Sequence, residues 1–428
     1  MAMRMPLMHM YMFTPTTSIA SARCKTKKAK GLHLRIPVNK PTYLRCAATL
    51  ITDPGDFEVR RLIGTYGFMN ITSYSPFQAR LQDSSEDDLE RFRTQDIVEG
   101  SVKIRLYDGR IARGPLRGTS VYFKVYPGRR AAAIEADMMA ANELEAHAFL
   151  QEIPRGGCQN LQILLGGFET ETGEQWLVFR NNGRYSAADY AKFAGKQITE
   201  NFALGQPSYW GPNEGEQTIK HRQYFINKML QGIMKGLVYM HDHDRLHQSL
   251  GPASVFINTM IERDADYLIP RLGDLAFSVD IGNLLYEESF QLLSEGLWRR
   301  AAASGAMDLI QKRAFGIADD IYGAGLLFAY LAFVPFCGTG IMDSFLLQRL
   351  LEDTFQLDLQ ATREYCLEDD RLLEAVRFLD LGDGAGWELI QAMLNSDYRK
   401  RPVASTVLNH RFLTGAILGE GTKSQQWL

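Results

Sequence analysis

Gly236-Leu237-Val238-Tyr239-Met240-His241, followed by Leu246-His247-Gln248-Ser249-Leu250-Gly251-Pro252-Ala253-Ser254-Val255-Phe256-Ile257-Asn258, is the stretch on which the reading of this 428-residue chain turns. Its first part ends a helical pattern that dominates from about residue 215 and takes in Gln223 to Leu230. Asp242 and Asp244 fall in the turn that follows, where solvation is their natural role. The loop after Leu246 offers His247, Ser249 and Ser254 but no carboxylate. A serine hydroxyl is neutral at physiological pH and cannot take up a proton as a carboxylate does.

Upstream the period changes. Val102 to Tyr107 alternates apolar and charged residues, which predicts a strand, with Asp108-Gly109 as a turn signal. A second strand is expected over Thr119–Tyr126, stopped by Pro127-Gly128. Residues 131–152 read as a helix, and Leu161–Phe168 and Glu174–Phe179 as two more strands. The acidic run Gln82–Glu90 suits a loop or an exposed helix start. A small sheet with one helix, followed by a helical half, is an α+β arrangement of two lobes, without internal repeats.

Several segments resemble the protein kinases across roughly residues 94–413. His247 to Ser254 stands where the family carries H-R-D-L-x-x-x-N. His247 and Leu250 keep scaffold positions, and the resemblance makes His247 a packing residue. Ser249 replaces the catalytic aspartate, Gly251 the lysine of Ser/Thr kinases, and Ser254 the metal-binding asparagine. Val121-Tyr122-Phe123-Lys124 is similar to the strand whose lysine contacts nucleotide phosphates, and Glu143, 19 residues on, to its glutamate partner; Glu145 lies on another helical face. Tyr122 replaces the small residue that lines the adenine pocket and would crowd a purine. Arg271 to Phe277 resembles the metal-binding D-F-G segment, with Asp274 at the ligand position and Ala276 for the glycine, which restricts the backbone. Asp320 resembles the aspartate that clamps the catalytic loop. Met393 to Pro402 matches the final-helix segment, whose Arg401 expects a glutamate partner; Glu295 is a loose match.

Further family positions are carried across the same way. The hinge falls near Asn181-Asn182-Gly183, Ser186–Tyr190 begins the next helix, and 195–219 suits a polar surface insertion. Two segments compete for the glycine-rich loop. Leu62–Phe68 holds Gly64 and Gly67 but lies far from Lys124, whereas Gly100 is better spaced for a short hairpin with a single glycine, and is favoured. The resemblance implies at most weak ATP binding at Lys124, Glu143, Gly100 and Asp274. Asp274 alone makes a poor Mg2+ site.

Residues 1–46 contain nine Lys and Arg and no acid; the first acidic residue is Asp53. This is the composition of an organellar transit peptide, and Leu44-Arg45-Cys46-Ala47-Ala48 resembles a chloroplast processing site. The chain then divides into a transit peptide over 1–46, an N-terminal extension over 47–93, a kinase-like domain over 94–413 and a tail over 414–428. The whole chain has 47 basic and 50 acidic side chains, so the part after residue 46 has 38 and 50, a formal −12. That charge disfavours nucleic acid and anionic membranes. Cys158, Cys337 and Cys366 are scattered, without a disulfide or zinc spacing. Gly323–Phe336 is apolar but short for a membrane span, so a core helix and a soluble protein are expected.

Two readings of different class follow. One is a chloroplast pseudokinase that binds or allosterically positions a protein partner; the other is an atypical ATP-dependent Ser/Thr kinase using Lys124 and Asp274. The triple change at Ser249, Gly251 and Ser254 favours the first. Fusing residues 1–46 to a fluorescent reporter is expected to send it to plastids. Cytosolic fluorescence would reject the targeting, and mitochondrial fluorescence the compartment.

Overall fold

The strand Ser120–Tyr126 (β3) has Val121, Phe123 and Val125 on one face and Tyr122, Lys124 and Tyr126 on the other, and all six are buried. A strand buried on both faces needs a core on each side. The computed structural model, which describes residues 50–67, 102–128, 133–153, 157–183, 185–203, 212–282 and 291–414, supplies both. The basic segment 1–46, the acidic run 82–90, Gly100 and the tail beyond 414 lie outside the described residues.

β3 is the centre of a five-stranded sheet with Phe57–Gly67 (β1), Lys103–Ile111 (β2), Leu164–Glu169 (β4) and Gln175–Arg180 (β5), in the order β1-β2-β3-β5-β4. Every neighbouring pair is antiparallel. Val121, Phe123 and Val125 pack with Phe57, Ile111, Phe168 and Val178. Against the other face lies the helix Ala133–Gln151 (α1), through Ala136, Met139, Ala140 and Leu144. Ahead of β1, Ile51 donates to the Leu165 carbonyl at 3.0 Å and accepts from the Gly167 amide at 3.1 Å, which covers the β4 edge. A side chain at Gly166 would lie 2.0 Å from the Ile51 carbonyl oxygen, so only glycine admits this contact.

Two expectations are corrected here. β1 falls within the stretch assigned to an N-terminal extension over 47–93, so the sheet begins well before residue 94. Asp108-Gly109 is not a turn: Gly109 pairs with both Val59 and Val121 inside β2. Its missing side chain serves packing, because a Cβ would lie 2.3 Å from the Glu58 carbonyl oxygen. The turn comes later, where Gly114 and Gly118 take φ of +82° and +88°. Within 195–219 the described residues are the end of one helix (α2, Ala187–Ala203) and the start of another (α3, Pro212–Asp242), and 204–211 lie outside the described residues.

Tyr185–Ser186 (β6), Val255–Ile257 (β8) and Arg271–Leu272 (β9) form a small sheet, and Arg245–Leu246 (β7) pairs with Val279–Asp280 (β10). The helical lobe is built around α3 and α5 (Leu309–Phe333), with α4 (Gln291–Ala303) between them in sequence. The apolar run ending at Phe336 is the second half of a longer helical stretch, Leu309–Phe336. That stretch is long and apolar enough to cross a membrane, but 72% of its apolar window is buried within the fold. Ile321, Ala324, Leu327, Phe328 and Leu331 place it in the largest core cluster.

Asp320 on α5 reaches the loop after β7. It accepts from the His247 amide at 2.7 Å, and from the Gln248 amide and side-chain Nε2 at 2.9 Å each; His241 Nε2 lies 3.0 Å away. Burial alone would raise the Asp320 pKa, but His241 and His247 hold it below the usual carboxylate value. Glu295 does not meet Arg401. It pairs with Arg299 one turn away, at 3.8 Å on an exposed face. Arg401 instead donates to the carbonyls of Asn395 at 2.7 Å and Ala318 at 3.1 Å and lies 4.6 Å over the Tyr322 ring. The charge pair nearby is Arg300–Asp319, at 2.5 Å.

Asp320→Ala strips several buried donors of one acceptor and is expected to cost about 3–5 kcal/mol. Arg401→Ala removes the donor to the Asn395 and Ala318 carbonyls and the packing over Tyr322, and is expected to cost about 1–3 kcal/mol. Glu295→Ala should stay within about 0.5 kcal/mol of wild type. Thermal melting of the three variants checks the order, and wild-type melting of Asp320→Ala would refute the clamp.

Candidate functional site

Lys124 leaves β3 toward the cleft between the lobes because its neighbours in the strand, Phe123 and Val125, take the opposite face. Its Nζ lies 2.7 Å from Glu143 Oε2 and 2.7 Å from Asp274 Oδ1, with 2% of the lysine and 1% of the glutamate side chain exposed. The Tyr126 hydroxyl donates to Glu143 Oε2. Burial lowers the lysine pKa, but the two carboxylates outweigh it and raise the value overall, so Lys124 stays charged. Burial raises the pKa of Glu143 despite the lysine. A lone buried charge costs several kcal/mol; here both Glu143 oxygens, Asp274 Oδ1 and the ammonium have close partners.

Asn142 fixes α1 to the segment after Asp274, donating Nδ2 to the carbonyls of Ala276 and Ser278 at 2.8 Å each. Asp274 and Gln248, at corresponding points of the two cleft loops, both hold left-handed backbones, with φ of +59° and +60°. Such conformations cost a non-glycine residue about 1–3 kcal/mol and persist only where the surroundings enforce them. Enforcement comes from Asp320 at Gln248 and from Ser249 at Asp274. The Ser249 hydroxyl donates to the Asp274 carbonyl at 2.6 Å. Ala276 lies in a buried helical turn, Leu275–Phe277, that asks for no positive φ.

Both serines are therefore engaged with the loops themselves. Ser254 Oγ accepts from the Gly251 amide at 3.0 Å and donates to the Gly251 carbonyl at 2.9 Å. Each serine is only 4% exposed. His247 is fully buried, and its Nδ1 accepts from the Ser249 amide at 3.3 Å. Burial lowers its pKa, against the pull of Asp320 and Asp274, so the ring is a neutral packing group.

The adenine position can be tested against the ring geometry. Tyr122 stacks on Phe179 at 5.3 Å and 15°, and on Phe256 at 5.8 Å and 20°. Rings in direct contact lie about 4.5–7 Å apart between centroids, so neither gap admits a third ring. The residues present do not fit a purine between Tyr122 and Phe256. A magnesium ion fits no better: Asp274 Oδ1 is taken by Lys124, and Ser254 is turned into its own loop.

Of the residues singled out in the sequence, Lys124, Glu143 and Asp274 come together, while His247, Ser249, Gly251 and Ser254 share one loop beside them. Gly64 and Gly67 lie in β1, paired with Leu106 and Lys103. Residues 68–102 separate β1 from β2, so the short-hairpin spacing that favoured Gly100 does not describe this connection. Four contributors escaped the sequence reading: Tyr126, Asn142, Phe179 and Phe256. Strand alternation from Lys124 could have found Tyr126, and the step from Glu143 could have found Asn142. The two phenylalanines needed the register Tyr122–Phe179 and the folded loop.

The site and sheet order define a protein-kinase-like fold with an antiparallel small lobe and a helical large lobe. A solved structure with this architecture is that of a Stt7 homolog from Micromonas algae soaked with ATP. It is 17% identical, with a TM-score of 0.52 over 88% of this chain and 96% of that one. No family model and no curated protein matches the chain.

His147, one turn beyond Glu143, meets the Phe179 ring edge-on at 5.0 Å and is 1% exposed. Burial, and then Lys124, lower its pKa from 6.5 to about 3. Because the folded value lies below the unfolded one, its contribution is complete above pH 6.5 and is lost as pH falls toward 3. The slope is about 1.4 kcal/mol per pH unit for one proton. Urea unfolding of His147→Gln between pH 7 and pH 4 is expected to show a shallower acid limb than wild type. Equal slopes would mean that His147 is protonated in the native protein.

Proposed function

We propose that this chain is a catalytically deficient kinase-like protein of the chloroplast that acts as a protein-binding scaffold or allosteric regulator. The observation that carries the reading is the fate of the two serine hydroxyls, spent on Asp274 and Gly251 within the loop. Efficient phosphoryl transfer needs a residue that accepts or positions the attacking hydroxyl, metal ligands, and cations facing the transferred group. Here Ser249, Ser254 and Gly251 supply none of these. A single such electrostatic contribution is commonly worth about 3–4 kcal/mol, so the joint loss leaves little rate enhancement. The plastid assignment rests on the acid-free basic segment 1–46.

One observation favours the second reading, an atypical ATP-dependent Ser/Thr kinase. Lys124, Glu143 and Asp274 are brought together, as the resemblance to phosphate-binding kinase positions expects. The similar structure was soaked with ATP, which makes an adenine nucleotide the ligand to try. Binding by this chain is proposed to be weak and nearly independent of magnesium.

The test is phosphotransfer by the purified full chain with ATP and Mg2+, beside Lys124→Met. No transfer above the variant is expected. Transfer present in wild type and lost in Lys124→Met would overturn the scaffold reading in favour of the kinase. Equal activity in both would trace to a contaminant and leave the reading standing.

A further inference from the structure

We infer that Tyr122 is a built-in substitute for a bound base, an internal aromatic plug that holds the two lobes together without any nucleotide. The inference deepens the scaffold reading and rests on it only for what the closed form is used for.

Phe179 on β5 and Tyr122 on β3 belong to the sheet lobe, whereas Phe256 on β8 belongs to the helical lobe. The Tyr122–Phe256 contact, 5.8 Å between centroids at 20°, therefore crosses the cleft. On the far side of Phe256 the chain passes closely. A side chain at Gly273 would lie 2.8 Å from the Phe256 ring, so the stack ends on the backbone beside Asp274.

Two other ties cross at the same level. Lys124, two residues along β3, joins Asp274, and Asn142 on α1 joins the carbonyls of Ala276 and Ser278. The ion pair ties β3 to Asp274, the amide ties α1 to residues 276–278, and the stack ties the sheet to Phe256, which lies beside Gly273. Tyr122 is 9% exposed and lies against both Phe179 and Phe256, so aromatic side chains of the two lobes meet directly across the cleft. A partner would meet one arrangement of the lobes whatever the adenine nucleotide level.

The test uses the full chain, thermal melting, and amide hydrogen exchange over residues 133–151 and 273–278. Adenosine and ADP at millimolar concentration are expected to leave the wild-type melting temperature and exchange unchanged. Tyr122→Ala should melt lower and exchange about tenfold or more faster in both segments. Adding p-cresol or adenosine should restore protection, whereas Tyr122→Phe should behave as wild type.

Unchanged protection in Tyr122→Ala would overturn the inference, as would a variant that neither aromatic rescues. Stabilisation of wild type by adenosine would overturn it independently, even if the alanine variant failed to fold. In that event Tyr122→Leu, which keeps most of the volume, carries the exchange and rescue measurements. None of these outcomes depends on phosphotransfer, so the plug and the scaffold reading fail separately.

Discussion

The Asp320 carboxylate is the constraint on which the cleft depends. It sits on a helix that runs through the main core of the large lobe and gathers donors from two consecutive residues of the loop after β7. Without it, Gln248 has no reason to hold a left-handed backbone. Once Gln248 is held, Ser249 is aimed at the Asp274 carbonyl and His247 is pressed into the core. The geometry of the second loop is thus inherited from the first. The charge that organises both is a buried carboxylate on α5.

The same cost bears on which cleft positions are held in place. Positions such as Asp320, Lys124 and Glu143 are held by the cost of leaving a buried polar group unpaired, several kcal/mol in each case. Ser249 and Ser254 are engaged with backbone groups of the loops instead. A short hydroxyl satisfies the nearest backbone group and adds order locally. Asp274 belongs to both classes, since it completes the Lys124 ion pairs whether or not a metal ever reaches it.

What could be read from the sequence follows the same division. The Lys124–Glu143 spacing, Asp320 and the Met393–Pro402 segment were legible because each is tied to a fixed local geometry. β1 was not, because its partner β2 lies beyond residues 68–102 and no short-range turn links them. Asp108-Gly109 misled because the glycine answers a tertiary demand, room for the Glu58 carbonyl and the Phe123 ring, that looks identical to a turn signal. Arg401 needed a partner in the expected pattern and found backbone carbonyls and a ring instead, which no residue-type rule anticipates. The aromatic stack lay furthest from view. It joins residues 57 and 134 positions apart in sequence, since Phe179 and Phe256 meet Tyr122 only after sheet register and lobe packing are both set.

The strap formed by Ile51 bears on how the chain can be trimmed. Its two hydrogen bonds to β4 are made only a few residues ahead of β1. Any trimming of the N-terminus therefore has to spare Ile51, whose loss would open the β4 edge to other chains.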